Sequence, residues 1–336
     1  MNNSEKSVRV AVIQAAPIFM DREATAEKAV SLTLEAGKKG AKLVLFPEAY
    51  IPAYPRGLGF GTKVGSRSAS GRKDWLRYWN SSVPVPGDTT HMLGEAARKA
   101  GVYLVMGLIE KDGEYSGTLY CTMLYFGPDG TLLGKHRKLK PTGMERLIWG
   151  EGDGSTLPVF DTPFGKIGGL ICWENYMPLA RTAMYAKGVQ IYLAPTADDR
   201  EVWQSTLRHI ALEGRCFVLS CNQYVTKDMY PADLACSGDL QSEPELMSKG
   251  GSAIVGPLGQ YIVEPVSGRE EIIMADLDMS LIAESRLDFD VVGHYARPDV
   301  FQLLVNEEPR VALRPFNQQT SGSAVESLQE NNYPKS

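Results

Sequence analysis

Three side chains in this sequence stand where buried strands should end, and their groups could act on one another. Glu48 closes the apolar run Leu43-Val-Leu-Phe46-Pro47, Lys138 ends a strand through Gly134-Lys-His-Arg-Lys138, and Cys172 follows Gly168-Gly-Leu-Ile171. Reactive groups of α/β proteins collect at such strand ends. A carboxylate desolvated by an apolar run acquires a raised pKa, which suits a general base. A thiol on a strand-to-helix turn sits near backbone N–H donors that favour the thiolate, and Pro178 pre-sets the first turn of the next helix. Glycines at 168 and 169 would let neighbouring backbone approach closely. Each residue also has an ordinary role open to it: a core thiol, a capping or surface acid, a solvated lysine. Chemistry requires the three to meet, and spacing alone does not bring them together.

Composition narrows the classes in which they could act. The chain has 336 residues, 43% of them hydrophobic, enough for a sizeable core. It carries 35 basic and 40 acidic residues, a net charge of −5, which argues against a life on the phosphate backbone of nucleic acid. The cysteines at 121, 172, 216, 221 and 236 are odd in number and contain no CxxC pair, so a disulfide framework is not indicated and a reducing cytoplasm is expected. Apart from Cys172 they read as core residues. Histidines 91, 136, 209 and 294 are scattered without zinc spacing. Residues Met1–Ser7 are polar, and the longest apolar stretch, Val102–Ile109, is far shorter than a bilayer span. No metal, nucleic acid or membrane is expected as a partner.

The elements that must hold the three residues can be read from periodicity. A strand at Val8–Gln14, a helix with Ala26, Ala29, Val30 and Thr33 on one side, and a strand at Leu43–Phe46 form a strand–helix–strand unit. Residues 49–74 read as a long Gly/Ser/Pro/Arg-rich loop. A helix near Thr89–Lys99, a strand at Val102–Ile109, and a hairpin around Gly127-Pro-Asp-Gly130 follow. A second hairpin pairs Val159–Phe160 with Lys166–Ile171. Then come a helix at Pro178–Lys187, a strand at Val189–Ala194, a helix with Trp203, Leu207, Ile210, Ala211 and Gly214 on one stripe, and a strand at Phe217–Cys221. Residues 224–250 show no readable conformation. Strands near Ser252–Val255, Tyr261–Val263 and Glu271–Ala275 and a short helix around Leu281–Leu287 complete the order. The pattern fits one α/β domain over residues 8–305, with a flexible N-terminus (1–7) and a polar tail (306–336).

With these residues in view, the sequence resembles the nitrilase superfamily of carbon–nitrogen hydrolases, from about Val8 to Val305. The matching segments are Phe46-Pro-Glu48, His136-Arg-Lys138 and Cys172-Trp-Glu174, in that order. Longer stretches, Gly134–Thr142, Glu145–Gly154 and Ile171–Pro178, resemble the true nitrilase branch. The resemblance implies a four-layer αββα sandwich, with Cys172 as nucleophile, Glu48 as general base, Lys138 as the stabilising cation and Glu145 as a second glutamate near the lysine. It also implies no cofactor, and a homodimer or larger spiral homo-oligomer paired through helices. The implied reaction converts a small-molecule nitrile and two waters to a carboxylic acid and ammonia through a thioimidate and a thioester. An amidase or carbamoylase using the same residues, and a non-catalytic scaffold of the same fold, are the alternatives.

Tyr54, Trp173, Thr196 and Ala197 are candidates for the substrate pocket, although the two aromatics could equally be ordinary packing. Trp149 reads as structural. His136 is expected to face away from Lys138 by strand alternation and to act as scaffold, and Glu174 to bond backbone near the nucleophile.

Overall fold

A computed structural model describes residues 7–113 and 117–313. The first six residues and the tail from 314 onward, named above as flexible and polar, lie outside the described residues. Ser7, placed above in the flexible end, opens the first strand.

The first half supplies β1 (Ser7–Gln14), α1 (Arg22–Lys38), β2 (Leu43–Leu45), α2 (Ala69–Ser81), α3 (Asp88–Ala100), β3 (Tyr103–Lys111), β4 (Leu119–Phe126) and β5 (Leu132–Arg137). The second half supplies β6 (Val159–Thr162), β7 (Gly165–Gly169), α4 (Pro178–Ala186), β8 (Ile191–Pro195), α5 (Glu201–Gly214), β9 (Phe217–Cys221), β10 (Tyr224–Thr226), β11 (Leu246–Val255) and β12 (Tyr261–Ser267). The chain then returns to the first sheet with β13 (Glu271–Asp278) and ends its regular structure in α6 (Ser280–Ser285).

Two sheets result. One has the order β13-β1-β2-β3-β4-β5, with the two-residue strand Val83–Pro84 beside the end of β3. The other has the order β10-β11-β9-β8-β7-β6, with β12 against β11. The centres are parallel (β1, β2 and β3; β7, β8 and β9) and the edges antiparallel.

Alternation along the strands sets the layers, because successive side chains point to opposite faces. Val10 and Val12 of β1, with Leu43 and Leu45, meet Ile191, Leu193, Phe217 and Leu219 in a single buried cluster between the sheets. The intervening Ala11, Ile13 and Val44 face outward onto Ala26, Ala29 and Ala36 of α1 and Leu93 and Ala97 of α3. In the second sheet Tyr192, Ala194 and Val218 face outward onto Met184 of α4 and the Trp203, Leu207, Ile210 and Ala211 stripe of α5. The order is therefore helix, sheet, sheet, helix, the expected αββα sandwich.

Two segments differ from the sequence reading. The presumed loop 49–74 contains a small hairpin (Thr62–Lys63 with Ser66–Arg67) and the start of α2. Ser68 caps α2 by accepting from the Gly71 N–H, and Asp74, inside it, accepts from the Ala235 and Cys236 N–H groups. The ends of the segment 224–250 pair with each other as β10 and the start of β11. Both segments hold together through contacts distant in sequence, which local composition does not display.

Candidate active site

Each reactive residue sits just past the end of its strand. β2 stops at Leu45, and the chain crosses β3 at Gly107 before reaching Glu48. A Cβ at Gly107 would stand 2.0 Å from the Pro47 carbonyl oxygen, so only glycine admits this crossing. Lys138 follows the last residue of β5, and its N–H donates to the Cys121 carbonyl of β4 at 2.8 Å. β7 ends at Gly169 rather than at Ile171, and a Cβ there would lie 1.9 Å from the Leu193 oxygen of β8. Cys172 then opens a one-turn helix, Cys172–Tyr176, with φ of 52°, a region that non-glycine residues seldom occupy. The Asn175 amide holds this turn by donating to the Leu170 and Cys172 carbonyls at 3.0 and 2.8 Å.

The structure brings these residues into one buried cluster. The Lys138 Nζ donates to Glu48 Oε1 at 2.6 Å and to Glu145 Oε2 at 2.8 Å. Glu145 lies in a short turn, Gly143–Leu147, where Oε2 also accepts the Thr142 N–H at 2.7 Å and Oε1 accepts the Tyr54 hydroxyl at 2.7 Å. Glu48 Oε2 is buried with no hydrogen-bond partner among the described residues. Cys172 and Glu145 face one cavity of about 190 Å³ with Tyr54, Trp173, Ala197 and Arg200. The Thr196 hydroxyl donates to Cys172 Sγ at 3.2 Å.

Burial governs the protonation of the cluster. Loss of water pushes the Glu48 carboxyl up, opposed by the Lys138 charge and reinforced by that of Glu145. Burial would lower the Lys138 ammonium, but Glu48, Cys172 and Glu145 together hold it well above the usual lysine range. Burial, followed by the Glu48 charge, pushes the Cys172 thiol far up. Burial beside a carboxyl thus works against the thiolate that the turn was expected to favour.

All four pocket candidates reach the site. Tyr54 and Thr196 make the bonds described, Ala197 lines the cavity, and the Trp173 indole N–H donates to Asp198 Oδ2 at 2.9 Å. Arg200 grips Asp198 and stands 4.9 Å from the Trp173 ring centre, a clamp that the sequence reading missed. Trp149 packs edge-on to Tyr54, with ring centres 5.7 Å apart, and borders a second cavity of about 340 Å³ with Leu58, Met144 and Ile148.

Cys121 is the buried core thiol that was expected, and its Sγ also lies 3.6 Å from Glu48 Oε1, a neighbour the sequence reading did not foresee. The Gln223 amide donates to the Glu48 carbonyl at 2.8 Å from the opposite sheet. Glu174 does bond backbone near the nucleophile, accepting the Ile171 N–H at 2.7 Å. His136 bonds Glu174, and strand alternation is not what turns it away from Lys138. Residues two apart on a strand share a face, and His136 parts from Lys138 because β5 ends at Arg137. Among the described residues no group of three or more His, Cys, Asp or Glu could hold a metal, and no helix is long and apolar enough to cross a membrane.

Comparison with known proteins agrees with this geometry. Residues 9–287 match the carbon-nitrogen hydrolase family. An aliphatic nitrilase of Sinorhizobium fredii (strain HH103) is 54% identical over 306 residues, covering 91% of this chain and 97% of that protein. Nitrilase 2 of Arabidopsis thaliana is 52% identical over 311 residues, 91% of each. A bifunctional nitrilase/nitrile hydratase of Nicotiana tabacum is 51% identical over 329 residues, 97% of this chain and 93% of that one. Among solved structures, a carbon-nitrogen hydrolase from Helicobacter pylori G27 superposes with a TM-score of 0.70 at 23% identity, covering 89% of this chain and 98% of that one, a likeness of fold. The chain belongs to the carbon-nitrogen hydrolase family, within its nitrilase branch.

Proposed function

We propose that this protein hydrolyses a nitrile with two waters to a carboxylic acid and ammonia, through covalent intermediates on Cys172. The observation that carries the reading is the buried meeting of Glu48, Lys138 and Glu145 beside a thiol on a strained turn. Identities of 51–54% to proteins named as nitrilases support the choice of substrate class.

The nitrile carbon is a weak electrophile and needs a sulfur nucleophile. Because Cys172 rests as a thiol, Glu48 acts as its base during the attack. The unpartnered Oε2 takes the S–H proton as Sγ bonds to the nitrile carbon. Negative charge develops on nitrogen, where Lys138 and the Trp173 backbone N–H stabilise it, and the thiol proton is passed there to give a thioimidate. Glu145, anchored by Tyr54 and Thr142, holds Lys138 in place. Water gives a proton to Glu48 and adds to the same carbon. The nitrogen takes up protons and leaves as ammonia, and a thioester remains. A second water, deprotonated by Glu48, expels the thiolate, which recovers its proton as the acid forms.

Ammonia release from a nitrile and from its matching amide, measured side by side with Cys172→Ala, tests the reading. Activity on the nitrile that vanishes in the variant is expected. Activity on the amide alone would point to an amidase, and undiminished release by Cys172→Ala would remove the nucleophile. Because one relative is named for nitrile hydratase activity as well, the amide is assayed as a product too.

We also propose a homodimer or larger homo-oligomer formed through the outer helices. Exposed Leu179, Val202 and Leu212 on α4 and α5 support it, and light scattering tests it. Five free thiols suit a cytoplasmic protein.

A further inference from the structure

We propose that His136 and Glu174 are a positioning pair, an imidazolium–carboxylate brace that fixes the Lys138 strand end against the Cys172 turn. The inference rests on the reading of those two residues as catalytic, and neither member of the pair belongs to the cluster itself.

Glu174 is the only described side chain bonded to backbone next to both reactive residues. Its Oε1 accepts the N–H of Leu139, the residue after Lys138, at 2.6 Å. Its Oε2 accepts the N–H of Ile171, the residue before Cys172, at 2.7 Å. One carboxylate therefore spans the gap between the two sheets at the point where the lysine and the thiol must keep their distance. His136 completes it, with Nε2 2.9 Å from Glu174 Oε2. Both side chains are buried.

The neighbours of the imidazole decide its charge. Nδ1 faces the Thr156 carbonyl at 2.5 Å, and a carbonyl can only accept, so Nδ1 carries a proton. Nε2 faces a carboxylate oxygen, so the contact also needs a proton between them. Both Glu174 oxygens already accept a backbone N–H, Oε1 from Leu139 and Oε2 from Ile171, so the proton of the imidazole contact sits on nitrogen. Burial opposes a charged imidazole, but the Glu174 charge and these hydrogen bonds outweigh it and raise the His136 pKa.

The brace matters because catalysis is sensitive to small displacements: a shift of about 1 Å can cost about a hundredfold in rate. Substitution of Glu174 by Gln puts an amide N–H₂ where a backbone donor already points, so the N–H of either Ile171 or Leu139 loses its acceptor. His136→Leu removes the donor and keeps the carboxylate.

Steady-state ammonia release is measured on the full-length protein for the parent, Glu174→Gln, His136→Leu and His136→Gln, with thermal melting recorded for each. Glu174→Gln should lose about a hundredfold in kcat, with KM within about threefold. His136→Leu should lose roughly tenfold in kcat, and His136→Gln, which can still donate to Glu174, should recover most of it. Should Glu174→Gln not fold, the two His136 variants carry the test. Variants that melt earlier yet keep the parent kcat, or a His136→Gln no better than His136→Leu, would overturn the brace. A parent that releases no ammonia overturns the proposed reaction instead, so the two failures are distinct.

Discussion

Replacing Glu145 by Gln should move the acid limb of the pH–rate profile downward, and the structure allows the size of the effect to be worked out. The substitution is nearly isosteric, and every hydrogen bond can survive it. The amide oxygen can take the place of Oε2 and accept from Lys138 Nζ and the Thr142 N–H, while the amide nitrogen donates to the Tyr54 hydroxyl oxygen. What disappears is one negative charge. Glu48 and Glu145 both touch the same ammonium, at 2.6 and 2.8 Å, which places their charged oxygens within roughly 5 Å of each other. At an effective dielectric constant of about 20, repulsion across that distance is about 3 kcal/mol, or about two pK units. That repulsion raises the Glu48 pKa, so removing it lets Glu48 ionise at lower pH. The acid limb of kcat/KM should fall by about one to two units, with the shift belonging to the cluster as a whole. The Lys138 pKa, which Glu145 also raises, should fall with it. Plateau kcat should drop by about tenfold or more, because the base is weaker and the lysine less firmly held. Ammonia release measured across the stable pH range gives both numbers. An acid limb that stays in place or moves upward would refute the electrostatic reasoning, whatever happened to the plateau.

Tyr54→Phe removes the donor to Glu145 Oε1 and should cost about 1–3 kcal/mol of positioning, seen as a roughly tenfold or greater fall in kcat without a new titration, since burial keeps the tyrosine neutral. Gly107→Ala would drive a Cβ toward the Pro47 carbonyl and displace Glu48; whatever folded enzyme is recovered should be slower by about a hundredfold, and parent-like turnover would contradict the crossing argument. Leu193→Ala, in the core between the sheets, should lower unfolding stability by about 2–5 kcal/mol in urea titration.

Much of the sandwich was legible because buried strands and amphipathic helices write their burial into periodicity. The stripe Trp203, Leu207, Ile210, Ala211 and Gly214 is the buried face of α5, and Phe217–Cys221 is a strand to the residue. Helix α2 was not legible: its Gly/Ser/Arg-rich start hides the aromatic spacing of Trp75, Tyr78 and Trp79, and its Asp74 is satisfied by backbone some 160 residues away. The reactive residues announced themselves by standing at strand ends. Their companions did not. Cys121 meets Glu48 only through strand pairing, and Gln223 reaches it across the sandwich. The pull against the thiolate was not legible, because a turn's N–H groups are visible in sequence whereas full burial among carboxyl groups is a property of the assembled fold.

The cluster sets two carboxyl groups against one ammonium beside a cavity that Arg56 and Arg200 line together with Asp198 and Asp199. A nitrile enters uncharged and meets no opposing field there. In the proposed reaction the acid would form beside Glu48 and Glu145, whose charges oppose its ionised form. On that reading, inhibition by the accumulated carboxylate should be weak near neutrality and should grow as the medium becomes acidic enough to leave the product protonated.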